Sequence, residues 1–264
     1  MQAKKHLGQH FLKSESALRK ILEAGQVGSE DSVLEIGPGT GALTDLLVGK
    51  AKKVVAIEKD RDLIPLLEEK YSQYIADNSF ELIEADILKF DPSLLSSQFA
   101  SPHYKLIANI PYYITGAIIE KFLSTPFQPE CIVILIQKEV AERIIARDSK
   151  ESILSIAVKA YGVPKIIAKV PPGSFVPPPT VDSAILLIEG ITRDFFVDAD
   201  EALFFKVLKG VFGKKRKQIG GSLAELLGDK EKTAAALEKS GIDSKTRPED
   251  ISLATWKKLT QALQ

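Results

Sequence analysis

Short apolar, β-branched runs alternate with longer helix-like stretches through the first half of the chain. The runs lie at residues 32–36, 53–57, 80–84, 104–108 and 131–137, and each segment between them is long enough for a crossover helix. Strands that alternate with helices in this way predict βαβ units. The pattern therefore predicts an α/β fold with a mostly parallel sheet that is covered on both faces.

The pattern changes twice further along the chain. Six prolines between residues 164 and 179 punctuate two more apolar runs, at residues 165–170 and 184–188, which we predict to close the sheet edge as an antiparallel pair. After Gly190 the apolar residues recur at helical spacing, and glycines divide the region into short helices. We therefore predict an α/β domain at residues 1–190 and a small all-helical domain at residues 191–264.

Composition is that of a globular protein. The 264 residues are 45% hydrophobic and 27% charged, which excludes a disordered chain and allows a sizeable core. Cys131 is the only cysteine, so an internal disulfide is excluded, and its apolar run is far shorter than the ~20 residues of a membrane helix. The first residues lead into no apolar signal core, and we expect a protein of the reducing cytoplasm.

The net charge of zero hides a segregation of charge. Residues 1–20 carry five Lys/Arg and one Glu, residues 21–190 carry 16 against 23 acids, and residues 191–264 carry 14 against 11. Basic ends therefore flank an acidic middle. A basic run such as residues 214–217 is, by itself, more typical of a solvated surface than of a binding site.

A glycine-rich loop follows the first predicted strand, with the sequence EIGPGTGA at residues 35–42. Glycines at a strand-to-helix turn allow the backbone to approach a ligand, and the helix N-terminus offers free N–H groups. Gly37 and Gly39 fit two fingerprints, which differ in the third position: Ala42 completes the dinucleotide pattern and Gly41 that of S-adenosylmethionine enzymes. The proline within the loop and the glutamate before it favour the second, but both remain open.

Carboxylates follow the next two strands. Glu58 lies 21 residues after Gly37, where a carboxylate accepts both ribose hydroxyls of either kind of nucleoside cofactor. Asp86 follows the third strand, where methyltransferases place an acceptor for the adenine amino group. In isolation Asp86 is equally typical of a loop cap.

The segment Asn109-Ile110-Pro111-Tyr112 directly follows the fourth predicted strand. The Asn109 side chain and the backbone carbonyl before Pro111 can accept hydrogen bonds from an exocyclic NH2, and Tyr112 can stack on the base. The lone pair of an adenine amine is delocalised, so positioning and electrostatics have to supply the rate, and no general base is required. This segment favours methyl transfer to a base amine.

These motifs together resemble the ribosomal RNA adenine N6-dimethyltransferases, and among them the bacterial 16S enzymes linked to kasugamycin sensitivity. The resemblance covers nearly the whole chain. Besides the segments above, it includes KHLGQHFL at residues 5–12, FVPPPTVDS at residues 175–183 and RPEDIS at residues 247–252.

The resemblance implies S-adenosylmethionine as the cofactor and no metal. The implied cofactor contacts are His10, the backbone at Leu12, Glu35, Gly37, Gly39, Gly41, Glu58, Asp86 and Asn109. The implied catalytic positions are Asn109 for the target amine, Pro111, Tyr112 for stacking, and Phe175 to close the other face of the base. The family more commonly has Asn where this chain has His10; both side chains can form hydrogen bonds.

The resemblance also gives the basic ends a function. A flipped-out adenine in structured RNA needs phosphate contacts around the pocket. We expect them from Lys4, Lys5, Lys214, Lys215, Arg216 and Lys217, with the helical domain recognising the RNA. The implied reaction is dimethylation of two adjacent adenines in the 3′-terminal hairpin of 16S ribosomal RNA, within the small subunit or its precursor, by a cytoplasmic monomer with a role in subunit biogenesis.

Three alternatives remain from the sequence. A related 23S ribosomal RNA adenine methylase would share the catalytic motifs. An NAD-dependent oxidoreductase would explain the glycine loop and Glu58 but not the segment from Asn109 to Tyr112. A ribosome-assembly factor whose catalysis is dispensable would share every feature with the enzyme.

Overall fold

The computed structural model describes residue 4 and residues 8–99, 101, 103–214 and 217–264. The strands are β1 (Phe11–Leu12), β2 (Ser32–Ile36), β3 (Lys53–Glu58), β4 (Phe80–Glu84), β5 (Lys105–Asn109), β6 (Cys131–Gln137), β7 (Val163–Val170), β8 (Phe175–Val176) and β9 (Ser183–Glu189). The helices are α1 (Glu15–Ala24), α2 (Thr44–Val48), α3 (Ile64–Lys70), α4 (Ser72–Ala76), α5 (Leu95–Gln98), α6 (Thr115–Ser124), α7 (Lys138–Ile144), α8 (Ile153–Lys159), α9 (Glu201–Phe212), α10 (Ile219–Leu227), α11 (Lys230–Ser240) and α12 (Leu253–Leu263).

Seven strands form one sheet in the order β4-β3-β2-β5-β6-β9-β7. Neighbours from β4 to β6 are parallel, whereas β9 runs antiparallel to both β6 and β7. The predicted α/β fold is confirmed, including the antiparallel pair that closes one edge. The pair of β1 and β8, which is also antiparallel, was not predicted.

The sheet forms because its central strands are apolar on both faces. Every residue of β2 is buried, as are the middle five residues of β6. On one face these strands pack against α1 through Leu18 and Ile21, and against α2 through Leu47. Parallel strands covered on both faces have this continuous apolar character.

The chain divides into two compact units. The first holds the described residues up to Ala141 together with Val163–Ile191, and the second holds Glu142–Gly162 together with the described residues of Thr192–Gln264. The first unit contains the sheet.

The second unit is helical, and it includes α8 from the crossover after β6. Ile156 and Ala160 of α8 are buried in one cluster with Phe204 of α9 and Trp256 of α12. The predicted division at residue 190 therefore differs from the observed units in residues 142–162, because α8 packs against helices that follow it much later in the sequence. Within the described part of the chain, none of the helices is long and apolar enough to cross a membrane.

Candidate active site

A cavity opens at the carboxyl ends of β2 and β5, the two strands at the centre of the sheet. These strands are neighbours, with Ile36 opposite Ala108, but from β2 the chain proceeds to one side of the sheet and from β5 to the other. Such a reversal of strand order leaves a crevice in which α/β proteins bind ligands. The cavity is lined by residues 8–12, 35–40, 57–59, 85–88 and 109–114, with Leu18, Ala42, Leu43 and Phe175.

The glycine loop shapes the floor of this cavity. Gly37 and Gly39 have φ of +68° and +60°, a backbone region that favours glycine. The Gly37 N–H donates to the Ile57 carbonyl at 2.9 Å, and a Cβ at Gly37 would meet no heavy atom closer than 3.9 Å. The loop is therefore tied to β3, and its backbone at Gly37 is open to a ligand.

At Gly41, glycine is required by the close packing of the loop against Tyr71. Its φ is +85°, and a Cβ there would lie 2.1 Å from the Tyr71 hydroxyl. That hydroxyl is 2.9 Å from the Gly41 carbonyl oxygen and 2.8 Å from an Asp45 carboxylate oxygen. Gly41 is not among the residues that line the cavity, so its place in the structure is the packing of the loop on Tyr71.

The Glu35 side chain, at the start of the glycine-rich segment, is buried. It is 1% exposed and accepts a hydrogen bond of 2.7 Å from the Thr44 hydroxyl. Burial raises the pKa of Glu35 to about 8, although the Thr44 hydrogen bond opposes the shift. At neutral pH this carboxyl group is therefore mostly protonated, and it lines the cavity as a neutral group.

Glu58 is fixed by the backbone around it. One carboxylate oxygen accepts from the N–H of Lys59 at 2.9 Å and of Asp60 at 2.8 Å, and the other accepts from Gly39 at 3.1 Å. Burial raises the pKa of Glu58, and these three backbone hydrogen bonds oppose the rise. The carboxylate is held at the cavity wall, where the sequence predicted a ribose contact.

Asp86 lies on the same wall beside a cation that the sequence analysis missed. The Lys59 ammonium is 2.9 Å from one Asp86 oxygen, and the other oxygen accepts from the Leu88 N–H at 3.0 Å. The Lys59 hydrogen bond is the main cause that lowers the pKa of Asp86, against the effect of burial. Lys59 directly follows the predicted site residue Glu58 in the sequence. This adjacency could have indicated that Lys59 also lies at the cavity.

Asn109 is the last residue of β5, and its side chain is oriented by the N-terminal segment. Its Nδ2 donates to the His10 carbonyl oxygen at 3.3 Å. Because a carbonyl only accepts, the NH2 end of the amide is used here, and the Asn109 oxygen is left as an acceptor. Pro111 follows with φ of −57° and ψ of 136°, and it leads into the 3-10 turn that carries Tyr112.

The Tyr112 side chain is anchored through its hydroxyl, and its ring has the His10 ring as a neighbour. Its hydroxyl is 2.6 Å from the hydroxyl of Ser183, the buried first residue of β9. The His10 ring lies nearly parallel to it, with 18° between the planes and 6.2 Å between the centroids. Ser183 was not among the predicted site residues, although it is the last residue of the FVPPPTVDS motif.

The N-terminal segment lines the cavity at residues 8–12 and contains the short strand β1. Phe11 pairs with Val176 and Leu12 with Phe175, and the His10 Nδ1 donates to the Pro177 carbonyl at 2.8 Å. The Phe175 side chain lines the cavity but is only 2% exposed. The cavity thus brings together every predicted cofactor and catalytic residue except Gly41.

The predicted RNA contacts are engaged within the protein where they are described. The Lys4 ammonium lies 2.5 Å from Asp60 and 2.6 Å from Asp62. Lys214 and Lys217 both form ion pairs with Glu225 in the helical unit. The predicted contacts Lys5, Lys215 and Arg216 lie outside the described residues.

The fold and the cavity define an α/β methyltransferase that acts on a base amine. A glycine loop and the fixed Glu58 carboxylate meet an Asn-Ile-Pro-Tyr turn at the central switch point of the sheet, and the amide oxygen of that turn is available as an acceptor. The chain belongs to the ribosomal RNA adenine dimethylase family, whose model matches residues 1–264.

Individual relatives agree with this assignment. The ribosomal RNA small subunit methyltransferase A of Dehalococcoides mccartyi is 42% identical over 260 residues, which cover 98% of this chain and 88% of the relative. A dimethyladenosine transferase from Plasmodium falciparum has a TM-score of 0.79 and 29% identity over 95% of this chain and 96% of its own. The 23S rRNA methyltransferase ErmE has a TM-score of 0.72 and 25% identity over 96% of this chain and 99% of its own. Family membership decides between the two interpretations of the glycine loop in favour of a methyltransferase and against an oxidoreductase.

Proposed function

We propose that this enzyme transfers methyl groups from S-adenosylmethionine to the N6 amines of two adjacent adenines in the 3′-terminal hairpin of 16S ribosomal RNA. The observation that carries the proposal is the Asn109 side chain, whose NH2 donates to the His10 carbonyl and whose oxygen remains to accept from a target amine. The name of the Dehalococcoides mccartyi relative supports the small subunit as the source of the RNA.

The residues of the cavity fit the cofactor. The open backbone at Gly37 leaves room for its methionine part, the fixed Glu58 carboxylate provides an acceptor for the ribose hydroxyls, and Asp86 provides one for an adenine amino group. When bound, S-adenosylmethionine supplies an electrophilic methyl group on a sulfonium. Because Glu35 is neutral, it adds no negative charge to the cavity lining beyond those of Glu58 and Asp86.

The protein's part in the reaction is to position the amine. In the first transfer to each adenine, the Asn109 oxygen accepts one N6 hydrogen and the backbone carbonyl before Pro111 accepts the other, so the nitrogen lone pair is directed to the methyl group. In the second transfer the amine has one hydrogen left for these two acceptors. Tyr112, anchored by Ser183, holds the plane of the base. A well-oriented pair of reactants of this kind supplies most of the rate enhancement, and the product releases its proton to water.

The wider substrate is a structured RNA. We propose that the helical unit, which carries Lys214 and Lys217, contacts the RNA backbone, and that the target adenine is flipped out of its helix into the cavity. The enzyme would then act as a cytoplasmic monomer on the small subunit or its precursor and contribute to subunit biogenesis.

Replacement of Asn109 tests the proposal. Purified small and large subunits from cells that lack this protein are incubated with labelled cofactor and either the wild type or Asn109→Ala, and the labelled adenines are located by mass spectrometry. We expect the wild type to place two methyl groups on each of two adjacent 16S adenines, and Asn109→Ala to be slower by at least about 100-fold, with subunit binding retained. The matched control is Gln73→Ala, which removes an exposed amide of α4 and should not change the rate.

Two outcomes would contradict the proposal in different ways. Label that enters only 23S RNA would assign the enzyme to the substrate that the ErmE structure is named for. Normal growth and subunit maturation in cells that carry Asn109→Ala would show that the biogenesis role depends on binding rather than on methylation.

A further inference from the structure

We propose that Asp60 is a positioning residue, whose carboxylate holds the N-terminal segment so that the His10 carbonyl orients the Asn109 amide. This inference rests on the proposed function, because it concerns the acceptor for the target amine. The sequence analysis assigned no role to Asp60 or to Gln9, and it placed Lys4 among the RNA contacts.

The Asp60 side chain is only 4% exposed, and both of its carboxylate oxygens accept hydrogen bonds. One oxygen accepts from the Lys4 ammonium at 2.5 Å and from the Asp62 N–H at 3.1 Å, and the other accepts from the Gln9 amide at 2.8 Å. Burial raises the pKa of Asp60, but the hydrogen bonds from Lys4 and Gln9 outweigh burial and lower the pKa overall. The group is therefore a carboxylate at neutral pH, and it can only accept.

The Gln9 side chain is held at both ends of its amide. Its Nε2 donates to Asp60, and its Oε1 accepts from the backbone N–H of Lys4 at 2.8 Å. Gln9 lines the cavity and directly precedes His10 in the sequence. On the other side of His10, Phe11 is paired with β8. The His10 carbonyl therefore lies between two anchors, and Asp60 provides one of them.

Asp60 also joins this anchor to the cofactor side of the cavity. Its backbone N–H donates to the Glu58 carboxylate at 2.8 Å. Asp60 thus contacts the predicted ribose acceptor through its backbone and the N-terminal segment through its side chain. A substitution of the side chain leaves the backbone N–H in place, so the two contacts can be tested separately.

The position of the His10 carbonyl matters because an amide can turn over. Rotation of a side-chain amide by about 180° exchanges its oxygen and its NH2. The Asn109 Nδ2 donates to the His10 carbonyl at 3.3 Å, and this contact selects the orientation that leaves the oxygen for the target amine. The opposite orientation would set the Asn109 NH2 against the N6 amine, donor against donor. Whatever fixes the His10 carbonyl therefore also fixes the acceptor.

Three single substitutions test this role. Asp60→Asn keeps the shape of the side chain but replaces one accepting oxygen by an NH2, which would face the donors of Lys4 or Gln9. Gln9→Leu removes the other partner of the contact and keeps a side chain of similar size. The matched control is Asp62→Asn, which removes the same charge beside Lys4 from a side chain that is 73% exposed. Melting curves show whether each variant is folded.

We expect Asp60→Asn and Gln9→Leu to lower the single-turnover rate on small subunits roughly 10- to 100-fold, because a displacement of about 1 Å can reduce a rate by about that much. The Kd for the subunit and the Kd for S-adenosylmethionine should change much less than the rate, and Asp62→Asn should keep the wild-type rate. The NMR signals of the Asn109 side-chain NH2, assigned by their absence in Asn109→Ala, should move in Asp60→Asn but not in Asp62→Asn.

A double variant distinguishes positioning from general damage to the fold. Asp60→Asn is combined with Asn109→Ala, and its single-turnover rate is compared with that of Asn109→Ala alone. Residues that act through one another are not additive in such a cycle. If Asp60 acts through Asn109, the double variant should be no slower than Asn109→Ala.

The inference is wrong if Asp60→Asn slows the wild type and Asn109→Ala by the same factor, or if it leaves both the rate and the Asn109 signals unchanged. If Asp60→Asn does not fold, Gln9→Leu is put through the same rate, NMR and double-variant measurements. Failure of the proposed function looks different, since the wild type itself would then not methylate the small subunit. The NMR signals need no substrate, so they would still report whether Asp60 orients Asn109.

Discussion

At the scale of single residues, Glu35 shows how a cavity can hold a carboxyl group without its charge. The side chain is 1% exposed, and burial raises its pKa to about 8 from an ordinary 4.5. An acid with a raised pKa in the folded state binds a proton more tightly there than in the unfolded chain. Its contribution to stability is complete below about pH 4.5 and is lost as the pH rises through 8.

Glu35→Gln should therefore remove a pH dependence of the stability. At about 1.4 kcal/mol per pKa unit, ionisation of Glu35 costs the wild type up to about 5 kcal/mol between pH 4.5 and pH 9. The variant keeps an acceptor for the Thr44 hydroxyl and has no charge to bury, so its free energy of unfolding should fall less over this range. Denaturant titrations at pH 5, 7 and 9 measure the difference.

The matched control for this experiment is Glu23→Gln, which replaces an exposed glutamate of α1. It should follow the pH dependence of the wild type. Parallel curves for the wild type and Glu35→Gln would show that Glu35 is ionised in the folded protein at neutral pH.

At the scale of elements, the loop between β2 and α2 depends on a glycine that does not line the cavity. A Cβ at Gly41 would lie 2.1 Å from the Tyr71 hydroxyl and 3.0 Å from its ring carbon, on a residue with φ of +85°. Gly41→Ala should cost roughly 2–4 kcal/mol of folding stability, from backbone strain together with displacement of a buried tyrosine. Thermal unfolding and the Kd for S-adenosylmethionine measure the two consequences.

Gly116→Ala is the matched control for Gly41→Ala. Gly116 lies in α6, and a Cβ there meets no heavy atom within 4 Å. Alanine in a helix is favoured over glycine by up to about 1 kcal/mol, so this variant should be as stable as the wild type or more so. Equal losses from both substitutions would refute the explanation for Gly41.

The strands of the sheet could be predicted because their apolar runs are long enough to carry a pattern. β2, β4 and β6 begin and end where the sequence predicted. β3 extends one residue further, to Glu58, and β5 begins and ends one residue later than predicted, with Asn109 as its last residue. Glu58 and Asn109 still pair with Glu84 and Leu135 of the neighbouring strands. A polar residue at the end of an apolar run looks like the start of a loop, yet here the strand itself places the predicted site residue at the cavity.

The short pair of β1 and β8 could not be predicted in the same way. Two residues on each side give no periodicity, and their partners are more than 160 residues apart in the sequence. The contacts of Lys4 and Gln9 with Asp60 also join residues far apart in the sequence, and no local pattern predicts them. Glycines, carboxylates and the Asn-Ile-Pro-Tyr turn were predictable since each is required by local chemistry, whereas the position of His10 beside Tyr112 depends on this long-range pair.

At the scale of the whole molecule, the two compact units do not follow the order of the sequence. α8 lies between strands of the sheet in the chain, but its Ile156 and Ala160 are buried with Phe204 of α9. A fragment of residues 1–190 would therefore keep α8 and lose the helices that cover it. We expect this fragment to self-associate and to bind hydrophobic dyes.

Ile156→Ser within the same fragment should reduce both effects, because it makes the uncovered face of α8 more polar. Size-exclusion chromatography and dye fluorescence of the two fragments measure this. A monomeric fragment of residues 1–190 that unfolds cooperatively and binds no dye would show that α8 does not need its partners.

The charge distribution of the whole chain leads to the last prediction. The C-terminal region has a surplus of positive charge, but Lys214 and Lys217 are both paired with Glu225, whose pKa they lower to about 2. Glu225 therefore stays ionised at any physiological pH and competes with RNA phosphates for the two lysines. Glu225→Gln should strengthen RNA binding at low salt, and the slope of log K against log salt should become steeper by about 0.7 for each further phosphate that the released lysines neutralise.

A second variant separates this local competition from a general gain of positive charge. Glu238→Gln makes the same change in charge at an exposed position of α11. Equal salt slopes for the two variants would mean that Lys214 and Lys217 do not meet the RNA. A steeper slope for Glu225→Gln alone would place the RNA backbone against this end of α9 and explain how a chain with no net charge binds a polyanion.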